Sequence, residues 1–127
     1  MMTDLAKLKQ EYWADEVKQV RKEKKIAMNP MELFGSHSLT PSIREMCYRD
    51  FKFGRFVKDC LRRFYATDWG NIPKNRFKAQ DKAFRDCQDV VGTYTYADNG
   101  NLFAIWIVRY VGVYKRKYTV VMYPEEF

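Results

Sequence analysis

Apolar positions along this chain change their spacing partway through, and the change divides it. From Thr3 to Ala27 they recur every three to five residues, at Leu5, Leu8, Tyr12, Trp13, Val17 and Val20, among mostly polar and charged neighbours. That spacing predicts one amphipathic helix. Thr3 is placed to cap it, Asp4 to meet its positive N-terminal end, and Asn29-Pro30 to stop it. The stretch Asn29–Ser38, with Pro30, Gly35, Ser36 and Ser38, marks a boundary, and Met31–Phe34 reads as a short extended piece. Residues 1–29 are therefore expected to form an appended helix, and residues 30–127 one small domain.

Thr40-Pro41 restarts helical structure, with Thr40 as cap and Pro41 at the first position, where a missing N–H costs nothing. A helix is expected over Pro41–Tyr48 and a clearer one over Phe51–Ala66, with Phe53, Phe56, Val57, Cys60, Leu61 and Phe64 as its core stripe. Asp68-Trp69-Gly70-Asn71 breaks the pattern, Gly70 suiting a left-handed turn. A third helix is read over Lys74–Val91, burying Phe77, Ala83, Phe84, Cys87 and Val91, with Gly92 at its end.

Beyond Gly92 the period becomes extended. Thr93-Tyr94-Thr95-Tyr96 alternates as a strand does, Asp98-Asn99-Gly100 is a turn signal, and Leu102–Val111 is nearly continuous Ile, Val and aromatic. Gly112–Lys117 reads as a basic loop and Tyr118–Tyr123 as the returning strand, closed by Pro124. The fold class expected is α+β: N-terminal helices, then a three-stranded antiparallel β-meander packed on them.

Composition sharpens this picture. The chain has 127 residues, room for one domain at about 100 to 200 residues each. An aromatic content of 17% argues against a disordered chain. Three cysteines, Cys47, Cys60 and Cys87, are an odd number without a C-x-x-C pair, so reduced thiols in a cytoplasmic protein are expected. The N-terminus lacks the apolar core of a signal peptide, and no apolar run approaches the length of a membrane helix.

Enzymatic chemistry finds little support in the residue types. His37 is the only histidine, so a Cys–His nucleophile would need one of the helix-stripe cysteines, and zinc ligation lacks the usual short spacing. No Gly-rich phosphate loop is present, and Glu125-Glu126 sits at a solvated terminus. No cofactor or metal is expected. Trp69 and Trp106 read as core or near-core residues.

Charge is the more informative signal, with 23 Lys and Arg against 16 Asp and Glu, a formal +7. Lys74, Lys78, Lys82 and Arg85 step by four, four and three along the third core helix and draw one basic ridge, with Asp81, Asp86 and Asp89 interleaved. Arg62 and Arg63 extend the exposed face of the preceding helix, and Lys115-Arg116-Lys117 forms a basic loop tip. These nine cations read either as a solvated surface or as contacts to nucleic acid or an acidic partner. Tyr94, Tyr96, Tyr110 and Tyr114 are candidate stacking surfaces if the outer sheet face is open.

Several of these motifs occur together elsewhere. Phe56-Val57 with Leu61-Arg62-Arg63-Phe64, then Asp68-Trp69-Gly70, then Asp81 with Ala83, is one set; Ile105-Trp106-Ile107-Val108 and the ending Thr119–Phe127, with Pro124-Glu125-Glu126-Phe127, is the other. From about Leu33 to Phe127 the chain resembles a family of small bacterial mobile-element proteins, found on plasmids, conjugative elements and phages, some mislabelled as restriction subunits. This chain departs from the family pattern in three places, one of them the Thr3–Ala27 helix, an addition to the typical member. Gly35-Ser36-His37-Ser38 stands where the family has a short strand ending in T-R-G, and a longer basic stretch from Arg109 to Lys117 follows the I-W-I strand.

The resemblance implies a mobile-element setting and does not supply a mechanism. Joined to the missing catalytic groups, it suggests a non-enzymatic anti-defence factor in the bacterial host cytoplasm, of the anti-CRISPR type. Its partner would be a host defence protein or ribonucleoprotein complex, and its basic charge argues against mimicry of DNA. The N-terminal helix is free to dock, to dimerise or to bind a partner. Two other readings stay open: a small basic nucleic-acid-binding regulator, and a motif-poor ribonuclease toxin.

Overall fold

The computed structural model describes residues 30–127; the helix expected over Thr3–Ala27 lies outside them. The described chain is α+β. It opens with α1 (Pro30–Phe34), β1 (Ser36–Leu39), α2 (Pro41–Arg49), α3 (Phe51–Tyr65) and α4 (Lys74–Arg85). It then continues as β2 (Val90–Asp98), β3 (Asn101–Val111) and β4 (Lys117–Met122), with short 3-10 turns at Val113–Lys115 and Pro124–Glu126.

The sheet differs from the expected three-stranded meander. It has four strands in the order β1-β4-β3-β2, and β1 runs parallel to β4 while the other pairs are antiparallel. The added strand, Ser-His-Ser-Leu, is short and mostly exposed, so it carries no apolar alternation to announce it. It is a strand because Thr40 N–H donates to Val121 O at 3.0 Å and the segment lies in register with Tyr118–Val121.

Two helix assignments also change. Met31–Phe34 is helical rather than extended: Pro30 sits in the first turn with its φ preset, and Glu32 faces the positive end. Gly35 closes that turn at φ +69°, and a Cβ there would overlap the carbonyl oxygen of Lys117, so only glycine lets β1 start beside β4. The third core helix ends at Arg85, not Val91. Cys87 turns the chain at φ +55°, and Gln88 N–H folds back to Ala83 O at 2.8 Å. Val90, Val91 and Gly92 then pair with Arg109, Val108 and Ile107 in the sheet, where β-branched side chains fit better than on a helix.

The other boundaries are set by local contacts, of which the Thr40 cap and the Asn99-Gly100 turn were expected. Thr40 Oγ1 accepts from Ile43 N–H at 3.5 Å at the start of α2. Asp50 Oδ1 accepts from Lys52 and Phe53 N–H at 3.0 and 3.3 Å at the start of α3. Asn99, at φ +49°, and Gly100 make the β2–β3 turn.

All four described helices pack on one face of the sheet. The core joins Phe34 of α1, Ile43 of α2, and Phe53, Val57, Cys60 and Phe64 of α3 to Trp69 and Phe77. The sheet supplies Val90, Tyr94, Ile105, Ile107 and Val121. Phe56, expected in the α3 stripe, lies at the margin of this core against Tyr96. The opposite face of the sheet is also rich in apolar groups. Trp106 meets Phe127 edge-on there, and Tyr110 stacks on Tyr118 across the β3–β4 pair.

Candidate interaction surfaces

The nine cations singled out by their spacing separate into four places. Arg63 belongs to the fold rather than to an exposed face. Its Nε donates to Asp68 Oδ2 at 2.8 Å, and its guanidinium lies over the Tyr94 ring at 5.0 Å. Burial works against the charge on Arg63, but Asp68 and Tyr94 more than offset it, so the guanidinium is held above its ordinary pKa.

Asp68 is the centre of this network. Its other oxygen, Oδ1, accepts from Gly70 N–H at 3.0 Å, and its main-chain carbonyl accepts from Tyr94 OH at 2.7 Å. Trp69, fully buried, donates through Nε1 to Asp81 Oδ1 at 3.0 Å. Gly70 runs at φ +79° against Thr93, where a Cβ would overlap Thr93 O. Asn71 N–H donates to that oxygen at 2.7 Å, and Thr93 N–H donates to Trp69 O at 3.0 Å. The Asp-Trp-Gly motif is thus a clamp that fastens the α3–α4 connection along the edge of β2.

The ridge on α4 is a different surface. Lys74, Lys78, Lys82 and Arg85 are all exposed, on the side of the helix away from buried Phe77. Among the described residues no carboxylate lies within ion-pair distance of them. Two of the three acids interleaved in the sequence are engaged elsewhere, while Asp86 is exposed at the end of α4. Asp81 receives the Trp69 indole, and Asp89 Oδ1 accepts from Val111 N–H at 2.8 Å. The cations are left facing water.

The basic loop tip lies at the end of the sheet where α4 terminates. Two contacts fix that arrangement: the Asp89–Val111 bond, and Arg109 Nη2 donating to Gln88 O at 2.6 Å. Tyr114 and Lys115 stand consecutively at φ +59° and +58°, an uncommon conformation for residues with side chains. They turn the tip so that Val113 and Tyr114 are exposed beside Lys115 and Arg116, while Lys117 is half-buried at the start of β4.

Tyr114, 98% exposed, is the open member of the four candidate tyrosines. Tyr94 is fully buried, Tyr96 packs inward on Phe53 and Phe56, and Tyr110 is engaged by Tyr118. Tyr94 and Tyr96 thus lie on the helix-covered face, and Tyr110 lies on the outer face against half-exposed Tyr118.

Arg62, the remaining cation, is exposed and paired with Asp59 at 3.4 Å. It borders a groove of about 700 Å³ between α3 and the edge strand β1. Arg55 and Lys58 border the same groove, and sequence reading missed both. Their signal was available: Arg55, Lys58 and Arg62 follow one another at three and four residues, the spacing of one helical face.

His37 and Cys47 also border this groove. Burial pushes the Cys47 thiol pKa up, the opposite of what a nucleophilic thiolate requires. Cys60 is pushed up to about 12 by its burial, which the nearby Arg63 only partly counters. Among the described residues no group of three or more His, Cys, Asp or Glu side chains is placed to hold a metal ion.

A further residue outside the predicted set is Arg109, almost wholly buried on β3. Besides Gln88 O it donates through Nη1 to Leu33 O at 3.0 Å, and its guanidinium covers the Phe84 ring at 4.6 Å. It fastens α1 and the end of α4 to the sheet. Burial lowers its pKa, against smaller upward pulls from Cys87 and Asp89. Comparison of the chain with protein-family models, with curated proteins and with solved structures finds no match.

Proposed function

We propose that this chain is a non-enzymatic binding protein that engages an anionic partner through the α4 ridge and the β3–β4 tip. In the mobile-element setting implied by the resemblance, the proposed partner is a host defence ribonucleoprotein, which the protein inhibits in the manner of an anti-CRISPR. One observation carries the reading. Lys74, Lys78, Lys82 and Arg85 stand exposed in a row without ion pairs among the described residues, while Asp81 and Asp89 are committed to the fold. A purely solvated face has no need of such separation, and a guide RNA or an acidic protein face would complement it.

A second reading, a small nucleic-acid-binding regulator, is favoured by one feature. Tyr114 projects among Lys115 and Arg116, the combination of ring and cations that stacks and holds a single strand. Pull-down of the tagged full chain from host lysate, with and without nuclease, separates the two. A stoichiometric protein partner that survives nuclease supports inhibition by contact with a defence complex. A partner lost on nuclease, with steep weakening as salt rises, supports the regulator. Lys78→Glu with Lys82→Glu is expected to weaken binding by at least about tenfold in either case. Unchanged binding would remove the ridge from the interface.

A further inference from the structure

The groove between α3 and β1 has two features that the proposed function does not use. The first is an open sheet edge. Thr40 N–H is spent on Val121 O, and β1 lies in parallel register with His37 opposite Thr119 and Leu39 opposite Val121. Main-chain alternation then directs Ser36 and Ser38 toward β4 and turns the amides of His37 and Leu39 away from it. The Leu39 carbonyl has a long contact of 3.4 Å from Arg44 Nη2. The N–H groups of His37 and Leu39 and the carbonyl of His37 face outward on a strand whose first three residues are exposed. Natural sheets usually blunt such an edge with a proline, a bulge or a covering element, because it is a template for another strand.

The second feature is the wall beside that edge. Leu39, Val57 and Leu61 form an apolar floor, and Arg55, Lys58 and Arg62 stand along its rim on α3. Asp59 lies among them and pairs with Arg62, and Arg55 rests over the ring of Phe51 at 5.1 Å. Two positive charges remain in excess along one side of a trough that already has a strand on its other side. A partner strand added to β1 would place every second side chain over this trough. Side chains with an aliphatic stem and a carboxylate tip match it: the stem covers the floor and the carboxylate reaches the rim.

We propose that the β1 edge and the α3 rim form a docking site for an extended acidic peptide segment of a partner, bound by β-strand addition. The site is separate from the α4 ridge and does not rest on the function proposed above.

The test is a titration of the isotopically labelled full chain with a short peptide of alternating Thr and Glu, followed by backbone amide shifts. Two control peptides accompany it, one with Lys in place of Glu and one N-methylated at alternate positions so that it cannot donate along the edge. Saturable shifts at His37–Leu39 and Arg55–Arg62, lost with both controls, are expected. Lys58→Glu should weaken binding by about tenfold, the worth of one charge-assisted contact. His37→Pro should abolish it while keeping the fold, because that N–H points away from β4 and proline is tolerated on an outward edge. If that variant fails to fold, the N-methylated peptide asks the same question of the unaltered protein.

Equal binding of the N-methylated peptide would overturn strand addition, and equal binding of the Lys peptide would overturn the acidic preference. Concentration-dependent self-association of the chain that occludes His37–Leu39 would instead assign the edge to a second copy and sink the proposal. Absence of shifts at β1 with the Glu peptide at millimolar concentration would sink it as well.

Discussion

A single carboxylate, Asp68, receives the Arg63 guanidinium and the Gly70 amide, while its own carbonyl takes the hydroxyl of fully buried Tyr94. Beneath this network lies Cys60, whose thiol burial pushes up to about 12 from an ordinary 9.0, with Tyr94 also raised well above its ordinary value by burial. Both groups are neutral when protonated and costly to ionise in place. The unfolded chain releases these protons at lower pH than the folded one. Stability from this pair is therefore complete below about pH 9 and falls as pH climbs toward 12, by about 1.4 kcal/mol per pH unit for one group across its window. Urea midpoints measured from pH 7 to 11 should be level up to about pH 9 and then decline. Cys60→Ala should be less stable at neutral pH but decline less steeply. An identical slope in that variant would take Cys60 out of the alkaline transition.

Helix boundaries were legible where a polar side chain caps them. Thr40 and Pro41 do at the start of α2 what their residue types suggest, and Asp50, not singled out in the sequence, caps α3 in the same way. The Thr40 hydroxyl also donates to Glu126 Oε1 at 3.0 Å, and the same oxygen accepts from Tyr123 N–H at 2.8 Å. The Pro-Glu-Glu ending therefore ties the last strand to the first turn of α2 through Glu126, a residue the sequence placed at a solvated terminus. Thr40→Val should lower stability by about 1 kcal/mol, the usual worth of an N-cap, measured as a shift in the urea midpoint. Combined with Glu126→Gln the two losses should be less than additive, because both act on one contact. Additive losses would show that the terminus and the cap are independent. Boundaries set by contacts elsewhere were not legible: the run from Lys74 to Val91 keeps helical spacing to its end, yet β3 takes Val90 and Val91 for the sheet.

Across the whole molecule, the inner core formed by the described residues runs from Phe34 to Val121. With residues 30–127 proposed as the folding unit, deletion of residues 1–28 is expected to leave a chain that unfolds cooperatively, with its near-ultraviolet circular dichroism retained. Loss of the cooperative transition would place part of the core in the first 28 residues and move the boundary. None of the described helices is long and apolar enough to cross a membrane.

What the sequence determined by itself were features written in local spacing: the α3 stripe, the caps, the Asn-Gly turn, the change of period near residue 90 and the basic row on α4. Each depends on side chains within a few positions of one another, so period and residue type suffice to read it. Tertiary structure decided the rest. Ser36–Leu39 became a strand because β4 offered it a parallel edge, and Arg109 became a buried fastener because the carbonyls of Leu33 and Gln88 converge on it from distant parts of the chain. The groove that pairs an open strand edge with the Arg55, Lys58 and Arg62 rim arose in the same way. Hydrogen-bond partners brought together by folding leave no period in the sequence, and the chain had to close before they met.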